Sequence, residues 1–253
     1  MHTEPGARGL AVITGGSRGI GSATAIAAAH AGWSVLLTYQ YEEQAAVKVV
    51  ETIHSRGGLA SFIRADMANE HDIAAIFEAA DRLGTVTAFV ANAGLAASQS
   101  RVDELTASRI RELLAVNVVG PVLGCGHAVR RMSTLHGGAG GSIVLVSSAA
   151  SRLGAPGEYV DYAASKGAID TLGIGLSREV ADEGVRVNVV RPGVIDTEMH
   201  GRNGRPDRAT DMAHTIPMKR AGHPSEVAAA IVWLLGDDAS YCTGSILDVA
   251  GGR

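Results

Sequence analysis

The sequence is poor in cysteine, in aromatics and in any excess of charge. Its two cysteines, Cys125 and Cys242, lie far apart in 253 residues, with no CxxC pair and no metal-ligand spacing. That leaves no disulfide framework and no zinc site, and points to a reducing compartment. Nine histidines are scattered without an HExxH pair, so no metal is expected. Lys and Arg number 22 against 26 Asp and Glu, a formal charge of -4. Without a basic surplus, neither nucleic acid nor an anionic membrane is an expected partner. No run approaches the ~18 consecutive apolar residues of a membrane span, and the first nine residues lack an apolar leader core. A soluble, cytoplasmic protein is the expectation. With three Phe, five Tyr and two Trp, the aliphatic side chains must carry the core.

Glycine is plentiful, at 32 residues, and it punctuates a regular alternation. Leu10 to Thr14 is a short apolar run that enters Gly15-Gly16-Ser17-Arg18-Gly19-Ile20-Gly21. An Ala-rich helical stretch from Ser22 to Ala31 follows, and Trp33 to Tyr39 is the next apolar run. Strand, glycine turn, helix and strand make a βαβ unit, whose free helix N-terminal amides suit a pyrophosphate. The Gly15-x-x-x-Gly19-x-Gly21 spacing differs from the general GxGxxG, and a tight turn without ligand is the competing reading. Helices are expected over Glu42–Arg56, Asn69–Leu83 (with Ile73, Ile76, Phe77 and Ala80 on one face), Thr106–Thr134, Glu158–Asp182 and Pro224–Leu235. Strands are expected over Leu59–Ala65, Val86–Ala91, Ser142–Ser147, Val185–Val190 and Ser245–Val249. No composition break marks a linker. One doubly wound α/β domain with a parallel sheet of about seven strands and helices on both faces follows. In such a sheet the ligand sits at the carboxyl ends of the strands. Gly15 to Gly21, Asp66-Met67, Asn92-Ala93-Gly94, Ser147-Ser148 and Pro192-Gly193 all fall there.

Tyr162 and Lys166 are four residues apart, which puts them on one helix face. Bringing a phenol from pKa ~10 to about 7 takes roughly 4 kcal/mol. An ammonium about 4 Å away supplies on the order of 4 kcal/mol at an effective dielectric of 20. Taken alone, the pair reads as an ordinary Tyr and Lys on an amphipathic helix surface.

Together, Thr14-Gly15-x-x-x-Gly19-x-Gly21, Asn92-Ala93-Gly94, Asn117, Ser148, Tyr162-x-x-x-Lys166 and Pro192-Gly193 resemble the classical short-chain dehydrogenase/reductase family across essentially the whole chain. The 3-oxoacyl-carrier-protein reductase-like and glucose-dehydrogenase-like branches look most similar. The resemblance implies a Rossmann-type domain over residues 1–253, with a substrate lid at 198–215. It implies a catalytic set of Asn117, Ser148, Tyr162 and Lys166. Tyr162 would be the general acid in carbonyl reduction and the base in reverse, and Lys166 would lower its pKa and hold the nicotinamide ribose. Ser148 would bind the substrate oxygen, with Ser147 a weaker candidate for that place. Asn117 would bind a water in a proton relay; an ordinary polar helix residue is the alternative. Tyr159 has no lysine four residues on and is set aside as the acid.

By the same resemblance the dinucleotide would be held by Gly15, Ser17, Arg18, Gly19, Ile20, Gly21, Tyr39, Gln40, Asp66, Met67, Asn92, Ala93, Gly94, Tyr162, Lys166, Pro192, Gly193, Ile195 and Thr197. Tyr39 stands where NAD-preferring relatives carry Asp, and Arg18 resembles the basic residue of NADP-dependent ones. NADP(H) is therefore expected over NAD, although Gln40 supplies no second cation. The expected activity is hydride transfer between NADP(H) and a small ketone, aldehyde or alcohol. Asp182-Glu183 would repel an acidic carrier protein, with Arg130 and Arg131 a partial offset. A dinucleotide-binding sensor without turnover is the alternative. A sugar-nucleotide epimerase is disfavoured because few residues follow Thr197. The resemblance also implies a homotetramer or homodimer. Ile169, Leu172, Ile174 and Leu176 are left open between core and interface.

Overall fold

The computed structural model describes residues 4–96, 98–198 and 207–253. Along the chain run β1 (Leu10–Ile13), α1 (Gly19–His30), β2 (Ser34–Tyr39), α2 (Glu43–Ser55), β3 (Ala60–Arg64), α3 (Glu70–Leu83) and β4 (Val86–Ala91). Then come α4 (Ala107–Leu114), α5 (Gly120–Met132), β5 (Gly141–Val146), α6 (Ala150–Leu153) and α7 (Val160–Glu179). The described chain ends with β6 (Val185–Pro192), α8 (Arg208–Met212), α9 (Pro224–Leu235) and β7 (Ile246–Val249).

The seven strands form one parallel sheet in the order β3-β2-β1-β4-β5-β6-β7. β1 shows why its apolar run is continuous. Ala11 and Ile13 face one core layer with α1, α2 and α9, while Leu10 and Val12 face the other with α3, α5 and α7. Successive side chains point to opposite faces, and both faces are covered. The strand order reverses between β1 and β4, which opens a crevice at their carboxyl ends.

Local chemistry sets the helix starts. Asn69 caps α3, its Oδ1 accepting from the amides of His71 at 2.9 Å and Asp72 at 3.4 Å; such a cap contributes about 1 kcal/mol. Ile73, Ile76, Phe77 and Ala80 form its buried face, as the periodicity predicts. α1 begins at Gly19, three residues before the Ala-rich stretch, because the glycine turn itself supplies the first helical turn.

The long helix predicted over Thr106–Thr134 spans Ala107–Met132, but it is not one α-helix. A π turn over Ala115–Val119 joins α4 to α5 and carries the buried Asn117. By length and average composition alone this helix could cross a bilayer, although it holds no unbroken apolar run of that length. Its Leu113, Cys125, Ala128 and Met132 are buried within the fold. On α7, Ile169 is core, Leu172 and Leu176 are partly buried against it, and Ile174 is exposed. Of the expected lid, residues 199–206 lie outside the described residues. The rest includes α8, whose Ala209 packs with Val194 and Ile216.

Candidate active site

The glycine turn is stitched to its neighbours by side chains the motif does not advertise. Thr14 Oγ1 accepts from the amides of Asn92 (3.0 Å) and Ala93 (3.1 Å). Asn92 Nδ2 returns two bonds, to the carbonyls of Thr14 (2.9 Å) and Gly15 (3.1 Å). On the other side, Gly15 N donates to Thr38 Oγ1 at 3.0 Å. Gly15 has φ +64°, and a Cβ on Gly21 would sit 2.2 Å from the Gly15 carbonyl oxygen. The turn therefore needs glycine at both places. Thr197 is brought over the same turn, since a Cβ on Gly19 would lie 3.4 Å from its methyl.

Next to the turn is a cleft of about 760 Å³ lined by Ser17, Arg18 and Gly19 on one side and by Tyr41, Glu42 and Lys48 on the other. Arg18 Nη1 is 2.7 Å from Glu42 Oε1. The sequence places Tyr39 and Gln40 near this point, and neither lines the cleft itself. Tyr39 turns inward, 8% exposed, with its ring edge-on to Phe62 at 5.8 Å. An aromatic ring at a strand end gains most by joining the core. Gln40 offers its carbonyl to Arg64 Nε at 3.1 Å. Tyr41, Glu42 and Lys48, which the sequence did not single out, line the cleft instead. Beyond β3, Asp66 Oδ1 accepts from Ala68 N at 2.9 Å and Met67 is buried.

The second cluster forms where β4, β5, the π turn and the start of α7 meet. Tyr162 and Lys166 share a face of α7, with Nζ 5.8 Å from the phenol ring centre. Ser148 lies near enough to the Tyr162 phenol to favour its ionised form, and its Oγ accepts from Ala150 N at 3.1 Å. Ser147 is buried and donates to the Lys166 carbonyl at 3.0 Å. The two serines thus face different partners, and Ser148 faces the phenol. Tyr159 stands edge-on to Tyr162 with ring centres 6.1 Å apart. Gly94 lies between Lys166 and Asn117: a Cβ there would be 3.5 Å from Nζ and 3.6 Å from Asn117 Oδ1.

Two expectations about this cluster change. Asn117 is fully buried, with Oδ1 accepting from Leu95 N (2.7 Å) and Nδ2 donating to Leu95 O (2.8 Å) and Ser165 Oγ (3.1 Å). Both donor hydrogens are used, so its side chain clasps the loop after β4 to α7, and only the second lone pair of Oδ1 is left for a water. Lys166 was expected to lower the Tyr162 pKa. Burial instead pushes the phenol up, against the opposing effect of nearby Ser148. Burial also brings Lys166 down to about 8, with Asp170 pulling the other way. Its Nζ donates to the Val146 carbonyl at 2.8 Å.

Pro192 and Gly193 follow β6, where a Cβ on Gly193 would lie 2.7 Å from Ala250 Cα. Ile195 bridges to Gly222 in parallel pairing. The arrangement offers a cradle for a phosphate-bearing ligand at the β1 turn. It also offers a proton donor, flanked by a hydroxyl and a buried cation, at the β5 end.

The family model described as enoyl-(acyl carrier protein) reductase matches residues 15–253. The uncharacterized oxidoreductase YgfF of Escherichia coli (strain K12) is 54% identical over 96% of this chain and 99% of that protein. Glucose 1-dehydrogenase 2 of Bacillus subtilis (strain 168) is 33% identical over 96% and 93%. A blue fluorescent protein from a metagenomic library, solved in complex with NADPH, superposes with a TM-score of 0.88 at 30% identity, covering 98% of each chain.

Proposed function

The chain belongs to the short-chain dehydrogenase/reductase family of oxidoreductases, and from that premise we propose that it moves hydride between NADP(H) and a small carbonyl or alcohol compound, with Tyr162 handling the proton. The observation that carries this is the convergence of Ser148 and Lys166 on Tyr162 at the strand ends, facing the crevice beside the glycine turn. In carbonyl reduction hydride reaches carbon while negative charge grows on oxygen. Tyr162 supplies the proton there, and Ser148 holds the oxygen. Lys166, charged and buried, binds the nicotinamide ribose and stands beside the phenol. Gly15, Ser17, Arg18, Gly19, Ile20 and Gly21 hold the pyrophosphate end; Asp66, Met67, Asn92, Ala93, Gly94, Pro192, Gly193, Ile195 and Thr197 line the rest.

Arg18 supports NADP over NAD, as does the NADPH-bound structural relative. The 2′-phosphate must first draw Arg18 from Glu42, so the preference should be moderate. A free carbonyl substrate fits better than a carrier-bound one because Asp182 and Glu183 form an acidic turn at the end of α7. Sugars head the substrate panel, given the glucose-dehydrogenase relative. We read residues 1–253 as one dinucleotide-binding domain with a substrate lid at 198–215, assembling as a cytoplasmic homotetramer or homodimer.

The test is turnover of ketones, sugars and acyl thioesters with NADPH and NADH, in the wild type and in Tyr162→Phe. Expected is a rate loss of about 10²–10⁴-fold in the variant with dinucleotide binding retained. An unchanged rate overturns the mechanism. Tight dinucleotide binding by the wild type without turnover of any compound turns the reading to a sensor.

A further inference from the structure

One turn beyond Lys166 on α7 stands a carboxylate that the proposed mechanism does not use. Asp170 is 7% exposed, and four-residue spacing puts it on the Lys166 face of the helix. Arg191, at the end of β6, gives both of its bonds to one oxygen: Nε at 3.1 Å and Nη2 at 2.8 Å from Oδ2. The other oxygen, Oδ1, is buried without a hydrogen-bond partner. A pair built only to glue a helix to a strand would use the two-oxygen fork that arginine and carboxylate favour. Here one oxygen serves the arginine, and a buried carboxylate oxygen without a donor needs a nearby positive charge.

The pair continues outward. Arg191 Nη1 is 4.0 Å from Asp248 Oδ1 on β7, and Asp248 Oδ2 is 3.4 Å from Arg152 Nε on α6. α6 directly follows the Ser148 turn. Charges of alternating sign therefore run from α7 through β6 and β7 back to the segment that presents Ser148. Among the described residues, Tyr162 and Asp170 share the Lys166 helix, with Arg191 behind Asp170; the Val146 carbonyl comes from β5, Gly94 from the β4 loop, and neutral Asn117 lies beyond Gly94 on the π turn.

We propose that Asp170, fixed by Arg191, is a positioning residue that keeps Lys166 charged and in place beside Tyr162, and that Asp248 and Arg152 tie this device to the Ser148 turn. The proposal rests on the reading of Lys166 given above. Its test uses the fact that the chain has only three lysines, Lys48, Lys166 and Lys219. With ε-13C-lysine incorporated, the Lys166 resonance can be titrated directly, without turnover, and assigned with Lys166→Arg.

Asp170→Asn should move the Lys166 titration midpoint about one pH unit or more downward, and Asp170→Glu should recover most of that shift. Where a carbonyl substrate is turned over, the kcat limb on the alkaline side should move with the midpoint while KM changes little. Asp170→Asn leaves Arg191 buried without its partner, so Asp170→Asn/Arg191→Gln provides a second folded background; its midpoint should also fall. If the midpoint stays at the wild-type value in folded Asp170→Asn and in the double variant, the pair is structural only and the proposal is overturned. A shifted midpoint in a wild type that turns over nothing would instead sink the oxidoreductase reading and leave the Asp170 placement standing.

Discussion

The crevice ends of β1 to β5 and the segments after β6 lie at the same edge of one sheet, yet they are built differently. In the first region polar side chains fasten separate elements to one another: Thr14 to Asn92, Thr38 to Gly15, Asn117 to Leu95 and Ser165, Arg109 to Asp161. In the second, the longer contacts are made by backbone and apolar groups, as in Ile195 with Gly222 and Val194 with Ile216, while several polar side chains pair locally at the surface. Arg220 pairs with Glu226 six residues away, Lys219 donates to the His214 carbonyl, and Met218 is 60% exposed. The proposed cofactor and proton chemistry falls in the first region, and the proposed substrate lid in the second.

Several changes would break or sharpen that contrast. The largest effect is expected from Gly21→Ala, whose methyl would enter the Gly15 carbonyl and Asn92 Nδ2. Dinucleotide affinity should fall by at least ~100-fold, the loss of a few contacts at ~1 kcal/mol each; calorimetric titration would show it. An affinity near wild type would mean the turn is looser than its hydrogen bonds imply. Arg109→Met removes the partner of Asp161, whose side chain is 4% exposed and whose Oδ1 also accepts from Tyr162 N at 2.9 Å. Breaking such a pair costs about 3 kcal/mol, readable in urea unfolding.

The pH dependence follows with its sign. Reduction needs Tyr162 protonated and Lys166 charged. Burial holds Tyr162 above its ordinary value and brings Lys166 to about 8. The reduction rate should therefore be level below pH 8 and fall about tenfold per pH unit above it, as one proton is lost. A rate that rises through pH 8 would contradict this. The smallest effect belongs to the second region. Lys219 has φ +58°, where a non-glycine residue is strained by roughly 1 kcal/mol. Lys219→Gly relieves that strain at a comparable entropic cost, so thermal unfolding should change by less than about 1 kcal/mol.

What the sequence made legible follows the same division. β4 and α9 are found at the predicted residues, and α3 one residue in from its cap, because an apolar period, a capping Asn69 and Pro224 are local signals. The glycine turn and the Tyr162–Lys166 spacing are local too. Facts that join distant residues were not legible. Nothing in Thr-Tyr-Gln-Tyr-Glu says that Tyr39 turns into the core or that Glu42 reaches Arg18 24 residues back. Asn117 reads as a weak helix former, and only the fold shows both of its amide hydrogens taken by Leu95 and Ser165. The Asp170–Arg191 pair spans 21 residues and two elements, and neither residue alone hints at the other.

The π turn at Ala115–Val119 has a consequence for the whole helix that holds it. It contains one residue more than an α-turn would, and each helical residue advances the azimuth by about 100°. Deleting a single residue there would leave a continuous α-helix with α4 rotated by that angle against α5. Arg109 would swing off Asp161, and Asn117 would lose its aim at Leu95. The extra residue acts as a phase shifter between the two halves of the rod, setting which side of α4 faces α7.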